Sequence, residues 1–334
     1  MHADSDTRFT IRRYQRGDET SILDLFARSF HEQRSLDHWR WKYEDDPYGA
    51  ERISVALDAD DKLVAHYAGY PVRFHIAGTD ALAHQIGDTM TDPAIRHIGR
   101  GPTSILGRTA LHFYENFCDG QVAFNFGFNV ANIQKFSLRF LRSTRVEDVA
   151  YRRRDLRTDP MARLTRIERY ARGVTLELAT ETSSEWDDLF ARVAPSYAFL
   201  IRRDAQYVRW RYLARPDVKY VVVTMRKWRH LAGWLVLRLR DNRISIGDLL
   251  IDPDHAGVLD VALRHLTRLY PAEAIEMWCP PRPQWMHKLL NSLRLNPSRQ
   301  PQDLGVMCVP FVDSDAPSRM ASSLYYTMGD GDLF

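Results

Sequence analysis

A chain of 334 residues exceeds the size at which one hydrophobic core usually stops growing, so two domains are expected. Its 45% apolar and 27% charged residues are those of an ordinary globular protein. The formal charge of +3 is too small to imply nucleic acid by itself, although it suits a polyanionic small molecule. The basic clusters Arg152-Arg153-Arg154 and Arg238 to Arg243 read as solvated faces. Cys118, Cys279 and Cys308 lie far apart with no CxxC spacing, so neither zinc nor a disulfide framework is expected. Met1 to Arg8 lacks the apolar stretch of a signal peptide, and no run approaches a membrane span. A cytoplasmic protein without membrane or nucleic-acid partners is the expectation.

In chain order, Phe9 to Tyr14 reads as a strand, and Asp18 opens a helix with Ile22, Leu25, Phe26 and Phe30 at helical spacing. Ile53 to Leu57 and Leu63 to Val72 are strand-like, followed by the apolar run that ends in Ile86-Gly87-Asp88-Thr89-Met90-Thr91-Asp92-Pro93. A helix is expected from Pro102, since proline suits the first helical position, with Ile105, Leu106, Ala110 and Phe113 inward. Asp119-Gly120 stops it, Gln121 to Asn129 forms another strand, and Ile133, Phe136, Phe140 and Leu141 mark a further helix. In the second half Thr182-Ser183-Ser184-Glu185 reads as a capping box. Tyr220 to Met225 and Leu231 to Leu239 read as strands, then Ile275 to Cys279 as a strand and Gln284 to Leu293 as a helix.

The two halves share one plan. Ile246-Gly247-Asp248-Leu249-Leu250-Ile251-Asp252-Pro253 repeats Ile86 to Pro93, and Trp210-Arg211-Tyr212 echoes Trp41-Lys42-Tyr43. The expected domains are 8–155 and 156–312, with a tail over 313–334 and the Arg-rich stretch Arg152 to Arg172 as the join. The acidic run Glu44-Asp45-Asp46 has no duplicate; it could attract a cationic amine, although such runs are usually solvated.

Arg96-His97-Ile98-Gly99-Arg100-Gly101 sits between a strand and a helix. A helix N-terminus offers unpaired N–H groups and a partial positive charge, and glycines let the backbone approach phosphate oxygens. Arg96 and Arg100 would add charge-assisted hydrogen bonds. In this frame the sequence resembles the GNAT superfamily of acyl-CoA-dependent N-acyltransferases, whose main motif, Arg/Gln-x-x-Gly-x-Gly/Ala, is matched by Arg96, Gly99 and Gly101. The match covers about Phe9 to Tyr151 well and Thr175 to Phe311 loosely.

The resemblance implies an α/β (α+β) fold of two tandem GNAT-like domains, each a mixed, mostly antiparallel splayed sheet flanked by helices. It implies a cofactor, acetyl-CoA or another short acyl-CoA, held by Met90, Thr91, Arg96, His97, Ile98, Gly99, Arg100, Gly101, Pro102 and Thr103. Asn129 and Asn132 resemble the Asn after the family's next strand. It implies direct attack of a small-molecule primary amine on the thioester, with a backbone N–H near Met90 or Thr91 polarising the carbonyl, and no metal.

Asp88 and His84 are the candidate proton acceptors, although Asp248 repeats Asp88 in a half whose own loop, Asp254 to Leu259, keeps only Gly257. That half is expected not to bind coenzyme A. The family's tyrosine acid is missing from Asn132 to Thr144, where Ser137 could substitute or the thiolate could leave unaided. The tandem layout and the tail Leu324 to Asp332 are similar to acyltransferases of nucleotide-linked aminosugars, making such a sugar a candidate acceptor. The alternatives are a peptidoglycan-bridge-type aminoacyl ligase and a non-catalytic acyl-CoA-binding scaffold.

Overall fold

The computed structural model describes residues 9–161 and 172–334, without the side chains of Ala131 and Asn132. It is a mixed α/β fold with two mixed sheets flanked by helices. The chain divides into two compact units. Unit 1 holds the described residues up to Arg73, with Ala81–Asp148 and Asp303–Ser318; unit 2 holds the described residues of Phe74–Asp80, Val149–Gln302 and Arg319–Phe334.

In unit 1 the strands are β1 (Thr10–Arg13), β2 (Ile53–Leu57), β3 (Leu63–Ile76), β4 (Thr79–Thr91), β5 (Phe124–Val130), β6 (Thr144–Asp148) and β15 (Leu304–Pro310). They run in the order β1-β2-β3-β4-β5-β15-β6. Phe74, His75 and Ile76, at the far end of β3, belong to unit 2, where they pair with β9 (Phe199–Ile201). Helices α1 (Glu19–Phe30) and α2 (Leu36–Tyr43) bury Ile22, Leu25, Phe26 and Trp39 in one cluster with Ile53, Val55 and Met90. Helix α3 (Ile105–Phe117) buries Ala110, Phe113 and Tyr114 with Tyr67 and Val309 in another. Each such fully buried large side chain contributes roughly 1.5–3 kcal/mol of apolar transfer energy. The spacing read from sequence fills these clusters with two exceptions: Phe30 is exposed, and Ile105 packs instead with Ala56, Val64 and Ala65.

Unit 2 has the strand order β14-β7-β13-β12-β11-β10-β8. Its members are β7 (Tyr151–Asp155), β8 (Val174–Leu178), β10 (Val221–Lys227), β11 (His230–Arg240), β12 (Arg243–Ile251), β13 (Ala274–Trp278) and β14 (Asn296–Ser298).

The units are not the two contiguous halves expected. Tyr151–Asp155 pairs with β13 and β14 in unit 2, and Leu304–Pro310 pairs with β5 and β6 in unit 1. Each half of the sequence thus gives a strand to the other half's sheet. The physical reason is that β15 completes the ladder of β5 over Phe124 to Val130, an apolar strand whose edge would otherwise lack partners. Of the Arg-rich join, residues 162–171 lie outside the described residues, while Arg152 and Arg154 are buried donors to backbone carbonyls of unit 2.

Two local expectations change. Helix α3 starts at Ile105 rather than Pro102, because Ser104 caps it by accepting from the Gly107 amide at 3.1 Å, and Gly101–Thr103 forms a 3-10 turn ahead of it. The capping box at Thr182 to Glu185 does not form. Thr182 Oγ1 donates instead to the Ala205 carbonyl, and Glu185 pairs with Arg226.

The 313–334 segment expected as a tail is largely part of unit 2. Tyr325 and Tyr326 are buried, and Phe334 stacks on Tyr220. The Phe334 backbone oxygen accepts from Arg215 and Tyr220. A Cβ on Gly247 would land 1.8 Å from the Phe334 ring, so this strand position has to be glycine for the C-terminus to seat.

Candidate functional site

Strands β4 and β5 run parallel but pair only at His84↔Asn125 and Gln85↔Phe126. Beyond these two positions both strands continue, to Thr91 and to Val130, without pairing to each other. The sheet is therefore split, and backbone groups along Ile86 to Thr91 and Gly127 to Val130 face a gap. A small cavity, open to solvent, lies at this split. Ile86, Phe126, Gly127, Asn129, Ser137 and Met307 are among the residues lining it. A Cβ on Gly127 would meet Asn129 Oδ1 at 2.9 Å, so the glycine keeps the wall clear.

At the end of β4 the chain turns through Arg96 to Gly101 into α3. Gly99 and Gly101 take φ of +71° and +59°, the left-handed region that favours glycine. A Cβ on Gly99 would lie 2.6 Å from the Thr103 carbonyl oxygen, and one on Gly101 2.6 Å from the Phe140 ring. The amides of Gly99, Arg100 and Gly101 have no hydrogen-bond acceptor among the described residues. His97, Gly99, Arg100, Pro102 and Thr103 are exposed, and Ile98 is half-buried. Arg96 is exposed too, and its Nε donates to the Thr91 carbonyl at 3.0 Å, tying the loop to the strand end. Unpaired amides, a helix start and two guanidinium groups make a site for an anion.

Met90 is buried in the α1/α2 cluster, so any role belongs to its backbone. Thr91 is buried, and its Oγ1 has no partner among the described residues. Asn129 lines the cavity. The side chain of Asn132 lies outside the described residues.

Asp88 and His84 are both held by cations. The Asp88 carboxylate accepts from Arg34, from Lys42 Nζ at 3.0 Å and from Tyr43 at 2.8 Å, while its carbonyl meets His66 Nδ1 at 2.7 Å. Burial alone would raise this carboxyl, but Arg34 and Lys42 more than offset it and hold it well below the usual carboxylate range. His84 lies at the base of the split, where Arg52 donates to Nε2 at 2.6 Å and Nδ1 meets Asn125 Oδ1 at 3.2 Å. Burial and the Arg52 charge push its imidazole down to about 3, so it is neutral with its lone pair engaged. His66 is likewise pushed by burial to about 4.

Unit 2 repeats this machinery with an added segment. Arg203 donates to Asp248 at 2.8 Å, and Tyr212 to the same carboxylate at 2.7 Å, as Arg34 and Tyr43 do to Asp88. Arg203 also pairs with Asp330 at 2.6 Å, and Thr327 Oγ1 donates to Asp248 at 2.9 Å. Both of those partners come from the C-terminal segment. Ser35 and Asp204 cap the helices that carry the two sets, each accepting from an amide three residues on. Sequence comparison had matched the tryptophans and tyrosines; the pair Arg34 and Arg203 stands in the same register and was missed.

Three further residues escaped sequence reasoning. Arg52 and Asn125 fix His84, and nothing in their spacing announces it. Asp46, in the acidic run, is buried rather than solvated. It accepts from the Tyr48 amide at 2.7 Å, yet its other oxygen has no partner among the described residues. Burial pushes its carboxyl up to about 8. Among the described residues no group of side chains could hold a metal ion, and no helix is long and apolar enough to cross a membrane.

Residues 10–137 match the family described as an acetyltransferase (GNAT) domain. No curated protein sequence matches the chain. Among solved structures it is similar to a GCN5-related N-acetyltransferase from Kribbella flavida, with TM-score 0.67 and 13% identity over 92% of this chain and 72% of that one. It is similar to Eis1 from Mycobacterium abscessus, with TM-score 0.62 and 19% identity over 92% and 74% of the two chains. Saccharomyces cerevisiae N-myristoyltransferase with bound myristoyl-CoA gives TM-score 0.55 and 10% identity over 90% and 82%. At such identities these likenesses establish the fold.

Proposed function

We propose that the GNAT acetyltransferase domain of residues 10–137 binds one acyl-CoA and transfers its acyl group to a primary amine of a small molecule. The observation that carries this reading is the split between β4 and β5 leading to a loop of unpaired amides at the head of α3. The diphosphate would lie on the amides of Gly99, Arg100 and Gly101, beside Arg96 and Arg100. The thioester would lie between the parted strands, its carbonyl on a backbone N–H near Met90 or Thr91. Asn129 would border the pantetheine arm, and Asn132 follows in the helix of residues Ala131–Phe140.

Asp88 and His84 are read as positioning groups rather than proton acceptors, because each is held by a cation and neither offers a basic lone pair near neutral pH. Unit 2 is read as a degenerate copy: Phe334 and Asp330 occupy the surroundings of Gly247 and Asp248. One cofactor per chain follows. A nucleotide-linked aminosugar stays the acceptor class suggested by the layout, with the amino group attacking directly.

Calorimetric titration with acetyl-CoA tests the reading. The parent protein is expected to bind with one site per chain, and Arg96→Ala and Gly99→Glu to bind weakly or not at all. An absence of binding by the parent would overturn it. Binding without thiol release over a panel of amines would favour a scaffold.

A further inference from the structure

Each sheet ends in two outer strands, and an outer strand leaves a row of backbone groups unpaired. Three of these four strands carry the usual protection against pairing with another chain. β1 has Arg12 and Arg13, β6 has Arg145, Glu147 and Asp148, and β14 is three residues long with Pro297 at its centre. β8 differs. Its sequence, Val174-Thr175-Leu176-Glu177-Leu178, holds no proline and no lysine, and Arg226 of the neighbouring β10 answers the one charge, Glu177, at 3.5 Å. Leu178 is 70% exposed, and so is 63% of Trp228, whose ring covers Gly173 just ahead of the strand.

The backbone of β8 is turned in a definite sense. The Ala179 amide donates to the Val222 carbonyl at 2.9 Å, and Thr224 Oγ1 donates to the Glu177 carbonyl at 3.3 Å, so the odd-numbered residues face β10. By the antiparallel alternation, the N–H and C=O groups of Val174, Leu176 and Leu178 point away from β10, and they have no partner among the described residues.

We propose that this edge pairs antiparallel with the same edge of a second copy of the chain, about a two-fold axis at Leu176. In that register Val174 stands opposite Leu178 of the second copy, Leu176 opposite its own counterpart, and Thr175 opposite Glu177. All the outward-facing residues then fall in pairs that exchange two hydrogen bonds each. An axis at Glu177 would set two carboxylates against each other, and an axis at Thr175 would carry Leu178 past the strand to Arg172. The alternation of apolar and polar residues in β8 reads the same in both directions, as an isologous contact requires. Val174, Leu176 and Leu178 form one apolar row that continues across the axis, and Leu178 of each copy reaches the end of the other where Trp228 lies. The contact lies within unit 2 and does not depend on the acyl-CoA reading.

Sedimentation of the full chain over a range of concentrations tests the pairing. A strand-to-strand contact of this size belongs with small, transient interfaces, so the mass is expected to rise from monomer to dimer over roughly 1–100 µM. Leu178→Lys puts a charge on an exposed edge position and should weaken the dimer at least about tenfold. Leu176→Pro removes an N–H that points outward, so the ladder with β10 should survive, as a thermal melt checks, while the dimer weakens. Val312→Lys, at an exposed apolar residue of unit 1, should dimerise as the parent does. The register is read by oxidising a mixture of Thr175→Cys and Glu177→Cys. These positions would face each other with Cα atoms about 4.5 Å apart, within reach of a disulfide. The mixed disulfide should form in several-fold higher yield than a disulfide of either variant alone, and Cys118, Cys279 and Cys308 are buried away from the reaction. A chain that stays monomeric up to about 100 µM overturns the proposal and leaves the edge to another occupant. A dimer that both Leu178→Lys and Leu176→Pro leave at parental strength overturns it too, since the contact would then lie elsewhere.

Discussion

Replacing Gly99 by alanine perturbs the loop at one backbone position and can be worked through from the structure. Gly99 has φ of +71°, where an L side chain costs roughly 1–2 kcal/mol. The new Cβ would also lie 2.6 Å from Thr103 O, 2.9 Å from Ser104 Cα and 3.1 Å from Ser104 N. All three are backbone atoms, so no rotamer change relieves the contact. The 3-10 turn must move by somewhat less than an ångström, loosening the Ser104 cap on Gly107, whose loss is worth about 1 kcal/mol.

The sum is a loss of about 2–3 kcal/mol in folding stability, read as a drop of several degrees in melting temperature. The same movement misaligns the amides of Gly99, Arg100 and Gly101, and one charge-assisted hydrogen bond lost is about 1.5–3 kcal/mol. Acetyl-CoA affinity should therefore fall roughly 10- to 100-fold by calorimetry below the melting range. Gly120→Ala is the control: its φ is also +71°, but nothing lies within 4 Å of the added Cβ. It should show only the backbone cost of about 1–2 kcal/mol and parental affinity. If Gly99→Ala bound acetyl-CoA within twofold of the parent and melted with the control, the loop assignment would be refuted.

Arg203→Leu leaves Asp248 and Asp330 buried without their shared cation, which should cost about 3–5 kcal/mol in urea unfolding of a protein that still folds. Adding Asp330→Asn should restore part of that loss; no recovery would argue that the pairings contribute little. Asp46 gives a pH effect of definite sign. Burial raises its folded value to about 8 while the unfolded chain has an ordinary carboxyl, so the folded state binds more protons between the two. Its contribution is present at low pH and fades as pH rises, by at most about 1.4 kcal/mol per unit, levelling off above about 8. Asp46→Asn should remove that slope from a series of chemical melts between pH 5 and pH 8, a window chosen on the same linkage argument. An unchanged slope would mean that Asp46 is ionised in the folded protein.

Much was legible in the sequence because it follows from local rules. Ile22, Leu25 and Phe26 repeat at helical spacing and are buried as expected, and the strand-like run Ile53 to Leu57 forms a strand. Gly99 and Gly101 announced a loop of unusual dihedrals because only glycine takes those angles without strain. The matching Trp-x-Tyr words were visible because Trp41 and Tyr43 are buried in one half and Trp210 and Tyr212 in the other.

Only the tertiary structure decided which strands share a ladder and which charges meet. Nothing in Leu304 to Pro310 says that it completes the sheet of the first half, since strand pairing is set by edges far away in sequence. Asp88 reads as a candidate base already weakened by its repeat at Asp248, and the sequence does not show that Arg34 and Lys42, more than forty residues upstream, both sit on its Oδ2. The C-terminal segment reads as a tail that docks, but its partners come to light only when Asp330 is found beside Arg203 and Phe334 over Gly247. Local conformation is written in neighbouring residues, whereas electrostatic roles depend on partners that the folded chain alone brings within a few ångströms.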